Sequence, residues 1–258
     1  HRANVLAEKI IDMKALVFAA GLGTRLRPLT NNMPKALVKV GGVPMLERVI
    51  DNLKKYGFDD VTINIHHFGQ QIIDFVAANN NFGINIHISD ERDLLLDTGG
   101  GILKARKFLD GAEPFLVHNA DILTDLNLLD IYNYHKHHKA VATLLVKERD
   151  TARYLLFDDE MSLRGWTNIK TSEVRPNTLD KEDAAKLQRL AFGGIHVISP
   201  EIFNDLEKHS ANPVFSIVPF YYENCGKLLI KGYAKHGSYK WLDVGKPETL
   251  AQAQAEFA

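Results

Sequence analysis

Ala19-Ala20-Gly21-Leu22-Gly23-Thr24-Arg25-Leu26-Arg27-Pro28-Leu29-Thr30, with Pro34-Lys35 close behind, overlaps the end of a short apolar run, Ala15 to Ala20, that reads as a buried strand. Glycines directly after a buried strand let backbone N–H groups come close to an anion, and a triphosphate is the natural occupant. Two familiar phosphate loops do not match. The dinucleotide fingerprint requires a third glycine where this chain has Leu26, and Pro28 would break the helix due to start there. A P-loop needs Gly-Lys-Ser/Thr, but the Gly-Lys pairs here run into Leu228 and Pro247. What is left is a glycine turn with Thr24, Arg25, Arg27 and Lys35 gathered within 12 residues. The planar fork of Arg and the point charge of Lys suit a phosphate chain passing through a transition state. Without the glycines, the same cations would read as a solvated basic loop.

Outward from this turn, short apolar runs alternate with helix-period segments, the pattern of a βαβ protein with a largely parallel sheet. Pro44 suits a first helical position, and Leu46, Val49, Ile50 and Leu53 follow at helical spacing. Val61–Ile65, Gly83–Ile88 and Phe115–Val117 read as strands, with a helix over Gln70–Ala78 between the first two. Later strands fall at Val141–Val146, Gly194–Ile198, Leu228–Lys231 and Tyr239–Leu242, and a closing helix begins near Pro247. Asp150 to Leu190 is polar and irregular, an insertion or lobe beside the sheet rather than a second domain. No hexapeptide array of a β-helix is present.

Composition narrows the function. With 258 residues, 45% of them hydrophobic, the chain can bury a core without staples. Lys and Arg number 31 against 32 Asp and Glu, so the net charge of −1 gives no field for holding nucleic acid or an anionic membrane. Cys225 is the single cysteine, which excludes an internal disulfide and fits a reducing cytoplasm. No apolar run approaches the ~18 residues of a membrane helix, and no secretory pattern opens the chain. Residues 1–12 read as a short helical lead-in or remnant before a natural start at Met13, with one functional domain over 13–258.

The pattern Gly21-x-Gly23-Thr24-Arg25-Leu26-x-Pro28-Leu29-Thr30 with Pro34-Lys35 resembles the signature of sugar-1-phosphate nucleotidyltransferases, and the resemblance runs over nearly the whole chain from Met13. Asn119-Ala120-Asp121 is similar to the family's Asn-Gly-Asp, Phe192-Gly193-Gly194-Ile195 to its sugar-side strand, and Trp241-Leu242-Asp243-Val244-Gly245 to its Trp-x-Asp-x-Gly closure. Thr98-Gly99-Gly100-Gly101-Ile102 and the compact length are most similar to N-acetylmuramate 1-phosphate uridylyltransferases within that family. Two departures stand out. Leu22 takes a position often held by Lys in hexosamine 1-phosphate uridylyltransferases, and Ala120 replaces a glycine.

The resemblance implies an α/β, three-layer Rossmann-like nucleotidyltransferase fold with a mainly parallel mixed sheet. It also implies transfer of a nucleotidyl group from a nucleoside triphosphate, UTP being favoured, to a sugar 1-phosphate, N-acetylmuramate 1-phosphate being favoured, with release of pyrophosphate. A sugar phosphate is already ionised near neutral pH, so catalysis reduces to aligning two anions and offsetting developing charge. Arg25 is assigned to the leaving pyrophosphate, and Lys35 to the α-phosphate or the sugar phosphate. Mg²⁺ takes one or two protein carboxylates, and Asp121 and Asp243, each following a predicted strand, fit that requirement at a shared sheet end. A strand-end Asp is otherwise a cap or turn former, so the metal assignment rests on the resemblance.

By the same resemblance, the backbone of Ala19, Ala20 and Gly21 faces base and ribose, with Gly23 and Thr24 at the phosphates. Thr98 and Gly99 close the base pocket, although Gly99-Gly100-Gly101 can equally open a helix capped by Thr98 or Asp97. Gly194 admits the sugar to the sheet or marks a bulge, and Trp241 is core or sugar-stacking. His135, His137 and His138 lie in a helix where a solvated surface is expected rather than a metal site. UTP is preferred to GTP because no carboxylate lies in Thr98–Ile102 to receive a guanine amine, Asp97 excepted. The alternatives are a mannose-1-phosphate guanylyltransferase and, from another class, a non-catalytic sugar-nucleotide-binding regulator on the same fold.

Overall fold

The computed structural model describes residues 13–258, so the reading of residues 1–12 lies outside the described residues. Strand β1, Met13–Phe18, carries Ala15, Leu16 and Val17, all fully buried. Ala15 and Val17 point into one apolar core and Leu16 into another, which is why an unbroken apolar run and not an alternating one marks this strand. Strands β2 (Lys39–Val40) and β3 (Val43–Pro44) form a small hairpin, and α1 (Met45–Lys55) follows. Pro44 therefore precedes the helix instead of opening it. Leu46, Val49, Ile50 and Leu53 are buried as their spacing predicts, each worth about 1.5–3 kcal/mol of transfer free energy.

Next in order come β4 (Phe58–Ile65), α2 (Gly69–Ala78), β5 (Asn85–Asp90), α3 (Asp97–Lys104), α4 (Arg106–Leu109), β6 (Phe115–Asn119), β7 (Ile122–Thr124), α5 (Leu128–His138) and β8 (Ala142–Lys147). The chain continues through β9 (Arg153–Phe157), β10 (Leu163–Asn168), β11 (Glu173–Arg175), α6 (Lys181–Ala185) and β12 (Gln188–Ile198). It ends with α7 (Ile202–His209), α8 (Ile217–Asn224), β13 (Ile230–Tyr233), β14 (Trp241–Asp243) and α9 (Pro247–Glu256).

The central sheet is mixed and mostly parallel. Its core runs β13-β8-β12-β6-β1-β4-β5, and only β12 is reversed in direction. Helices α1, α2 and α5 cover one face and α3, α4, α7 and α8 the other, giving the three layers that the resemblance implies. A third, smaller core gathers Leu26, Val38, Met45, Leu242, Val244 and Ala253, which ties the glycine turn to the C-terminal closure.

The expectation of an irregular lobe over 150–190 is corrected. β9, β10 and β11 are antiparallel, and the long strand β12 pairs β9 through Gln188–Leu190 before turning to β8 and β6, so the lobe extends the same sheet. β9 buries the run Leu155-Leu156-Phe157, whereas β10 alternates buried and more exposed positions from Leu163 onward. Among the described residues, no helix is long and apolar enough to cross a membrane.

Candidate active site

β1 stops at Phe18, which leaves Ala19 and Ala20 at the head of the turn. Their N–H groups donate to Asn64 Oδ1 at 2.7 and 3.2 Å. Asn64 sits buried in β4, and its Nδ2 donates to Glu91 Oε1 at 3.0 Å, while Glu91 Oε2 accepts from Leu96 N at 3.1 Å. A buried carboxylate is tolerated when its oxygens are satisfied in this way, and here it fixes the loop's starting angle. Gly23 lies in the left-handed region at φ 64°, and its carbonyl accepts from Thr30 Oγ1 at 2.7 Å and from Leu26 N at 3.0 Å. A Cβ at Gly23 would stand 2.9 Å from Thr30 Cγ2 and 3.0 Å from Lys35 Cβ, so sterics and backbone both require glycine.

The two carboxylates 122 positions apart do meet, by a route the sequence did not show. Instead of sharing an edge of the main sheet, β14 pairs antiparallel with β7, placing Asp243 opposite Ile122, and Val244 N donates to Asp121 O at 2.8 Å. Lys35 forms an ion pair with Asp121 Oδ2. Burial, and next the charge of Asp121, push the Asp243 carboxyl above its ordinary value, with Lys35, Arg25 and Arg149 pulling the other way. Asp243 Oδ1 is buried and, among the described residues, has no hydrogen-bond partner. Gly245 lets Arg25 lie against this pair, since a Cβ there would stand 2.7 Å from Arg25 Nη2 and 2.9 Å from Asp243 Oδ1.

A cavity of about 570 Å³ opens above these groups. Ala19, Ala20, Gly21, Gly23, Thr24 and Arg25 line it along the turn, together with Lys35, Asp121 and Thr98, whereas Asp243 is not part of its wall. Leu22, the departure from Lys, lines it as well and is 45% exposed. Gly99 is not brought to the cavity wall. Its N–H donates to Phe215 O at 2.9 Å, and a Cβ would stand 2.3 Å from the Phe215 ring, so this glycine lets α3 dock on the 213–216 loop. Thr98 Oγ1 accepts from Ile217 N at 2.9 Å, which turns the hydroxyl toward α8. Gly194, at φ 74°, lies in an irregularity of the β12–β8 register, with Asn119 and Ile122 against it, and borders the site from behind the sheet end. Trp241 is half-buried, donates from Nε1 to Gly193 O at 2.9 Å and carries Lys147 Nζ 4.3 Å above its ring.

A glycine turn, two cations and Asp121 in the wall of one cavity, with Asp243 buried beside them, are ingredients that suit nucleotidyl transfer, and the sequence profile of the Nucleotidyl transferase family matches residues 14–258. The chain belongs to that family. Among its relatives, N-acetylmuramate alpha-1-phosphate uridylyltransferase of Neisseria meningitidis serogroup B is 32% identical over 94% of this chain and 97% of its own length. Mannose-1-phosphate guanylyltransferase 1 of Arabidopsis thaliana is 28% identical over 91% of this chain and 62% of its own length. The solved structure of a UDP-glucose pyrophosphorylase complexed with UDP-glucose superposes with a TM-score of 0.74 at 19% identity, covering 95% of this chain and 98% of that one, and supports the fold alone.

Within this nucleotidyl transferase, two cavity residues, Asn64 and Glu91, were not singled out from the sequence; they hold the head of the turn, while Thr30, quoted only as part of the motif, closes it. An Asn inside the apolar run Val61–Ile65 was the available signal, because a buried amide must find partners. Of the three helical histidines expected at a solvated surface, His137 is exposed and His135 is not. His135 is buried, with Nδ1 2.9 Å from Thr143 Oγ1 and Nε2 2.8 Å from Ser199 Oγ, so it pins α5 to the sheet instead of facing solvent. Among the described residues no cluster of three metal-ligating side chains occurs.

Proposed function

We propose that this chain transfers UMP from UTP to N-acetylmuramate 1-phosphate, releasing pyrophosphate. The single observation that carries the reading is the juxtaposition of Arg25, Lys35 and Asp121 in the wall of the cavity beside the glycine turn, with Asp243 directly behind them. In the reaction, a phosphate oxygen of the sugar 1-phosphate forms a bond to the α-phosphorus, the bond from that phosphorus to the bridging oxygen breaks, and pyrophosphate leaves with the electron pair. Both reactants are anions, so Arg25 and Lys35 serve by orienting them and compensating charge, and no general base is needed. Arg25 lies toward the triphosphate turn and takes the departing pyrophosphate. Lys35, held by Asp121, faces the α-phosphate or the acceptor.

The donor set fits a hard divalent cation. Asp243 Oδ1 is a buried carboxylate oxygen without a partner, and Asp121 is close enough to raise its pKa, so two acidic groups face each other at a cost that a cation removes. Asp121 and Asp243 would hold Mg²⁺, which when bound supplies charge neutralisation at the phosphates. A regulator that only binds a sugar nucleotide has no use for such a costly pair, which favours the enzyme over that alternative.

N-acetylmuramate and uracil are favoured by the relative that matches 97% of its length. A second reading, GTP with mannose 1-phosphate, draws on one feature. Glu91 and Asp97 both line the cavity, and a carboxylate is the acceptor a guanine amine needs. Both groups are engaged, however: Glu91 by Asn64 and Leu96, and Asp97 by Thr98 N at 2.6 Å. Incubation with each of the four nucleoside triphosphates and a panel of sugar 1-phosphates, followed by mass identification of the product, tests the assignment. UDP-N-acetylmuramate is the expected main product; GDP-mannose as the main product would overturn it.

A further inference from the structure

A second cavity, of about 360 Å³, lies next to the active-site cavity. Its wall includes Arg149, Arg153, Tyr154, Trp166, Phe192 and Tyr222, and no carboxylate is among the residues lining it. Continuity with the nucleotide cavity runs through Ser216, which lines the second cavity and whose Oγ lies 3.5 Å from Oγ1 of Thr98 in the first. Phe192 directly precedes Gly193, whose carbonyl holds Trp241 two residues from Asp243.

The charges here are unusual for a chain of net charge −1. Lys147 Nζ and Arg149 Cζ lie 4.3 and 5.3 Å from the Trp241 ring centroid, two cations on one indole. Among the described residues, none of Lys147, Arg149 and Arg153 has a carboxylate within salt-bridge distance. Arg149 reaches one protein acceptor, Phe192 O, at a long 3.4 Å. Burial, with Arg149 adding to it, pulls the Lys147 ammonium below its usual value. Arg149 and Arg153 are exposed, and the charge of Arg149 reaches Asp243, so both guanidiniums stand open to an anionic ligand beside the catalytic centre.

Arg25 and Lys35 are assigned to the nucleotide and the reacting phosphate, so these further cations are in excess of what a sugar 1-phosphate with no second charged group requires. The stacked Trp166–Tyr222 pair, ring centroids 5.5 Å apart, supplies an apolar wall suited to a pyranose ring. We propose that Arg149 and Arg153 form an acceptor subsite that selects a sugar 1-phosphate bearing a second anionic group, a carboxylate on the sugar ring. A guanidinium fork matches the two oxygens of a carboxylate, whereas the same groups leave a hydroxyl-only sugar with unpaired charge beside it. The inference deepens the function proposed above and rests on it for the identity of the acceptor, since a muramyl sugar carries a lactyl carboxylate and a hexosamine does not.

Calorimetric titration with N-acetylmuramate 1-phosphate and N-acetylglucosamine 1-phosphate, which differ by that lactyl group, reads the subsite without requiring turnover. The wild type is expected to bind the carboxylate-bearing acceptor at least tenfold more tightly, about 1.4 kcal/mol. In Arg149→Met and Arg153→Met the ratio of the two affinities should collapse to within about threefold, and binding of N-acetylglucosamine 1-phosphate reports that each variant is folded. Arg149→Lys and Arg153→Lys, which keep charge and stem but lose the fork, serve if a methionine variant does not fold, and should lose most of the preference. Equal affinities in the wild type, or a preference retained in both single variants, overturns the proposal. Retained selectivity without pyrophosphate release from any substrate pair would instead count against the function proposed above while upholding the subsite.

Discussion

At the scale of single residues, Asp243 shows how function and stability oppose each other. Its carboxyl is pushed up by burial and by Asp121, so the fold favours the protonated form. That contribution to stability is fully present below the unfolded value of about 3.8 and is lost as pH rises through the raised folded value. Asp243→Asn should therefore raise the melting temperature at pH 7 in the absence of divalent cations, with the gain vanishing in acid. Adding Mg²⁺ should stabilise the wild type and not the variant, by mass action on the native state. Thermal melts at two pH values with and without the ion check both. Arg25 makes the complementary case, since its position depends on Gly245. Arg25→Lys keeps the charge and loses the fork, and steady-state kinetics should show transfer slowed by at least about tenfold, or about 1.4 kcal/mol of transition-state stabilisation. Gly245→Ala should slow it as well with little effect on the fold, because the atoms a Cβ would meet first are the far end of the Arg25 side chain and an Asp243 oxygen.

At the scale of elements, the parts legible in the sequence were those whose signal is local. Buried parallel strands read as apolar runs, α1 as an i, i+3, i+4 pattern, and the glycine turn as a turn. Asp121 and Asp243 were singled out as partners, but the ribbon that joins β7 to β14 was not foreseeable, because three-residue strands carry no periodicity. The Gly99-Gly100-Gly101 run was read for its ends and not for its packing. Gly100 shows the reason: a Cβ there would stand 2.2 Å from the carbonyl oxygen of Pro213, a backbone atom that cannot swing away. Gly100→Ala should destabilise the protein by roughly 1–3 kcal/mol through forced movement of the 213–216 loop, measurable as a shift in the denaturant midpoint. Of the strands over 153–175, β9 carries a visible apolar run, Leu155-Leu156-Phe157, that the polar residues around it outweighed, while β10 and β11 are short and mostly polar.

At the scale of the whole molecule, three buried histidines set its response to acid. Burial holds His118 and His135 down to about 4 and His196 to about 3, each neutral within the sheet and its covering layers. Their stabilising contribution is complete above the unfolded value of about 6.5 and is lost as pH falls from there toward 4 and 3. Melting temperature should therefore fall between pH 7 and pH 5, well before the ion-paired carboxylates protonate, despite the opposite and smaller pull of Asp243. The three layers, the third core and the ribbon serve one end, which is to bring a glycine turn, two cations and Asp121 to one cavity with Asp243 beside them. The most direct measurement of that claim is the rate of pyrophosphate release from UTP and N-acetylmuramate 1-phosphate with Mg²⁺, compared between wild type and Asp243→Asn. The wild type should release pyrophosphate with UTP favoured over GTP by at least about tenfold in catalytic efficiency, and the folded variant should be slower by orders of magnitude. Near-normal release by Asp243→Asn at limiting Mg²⁺, or no release by the wild type with any nucleoside triphosphate and sugar 1-phosphate, would contradict the account.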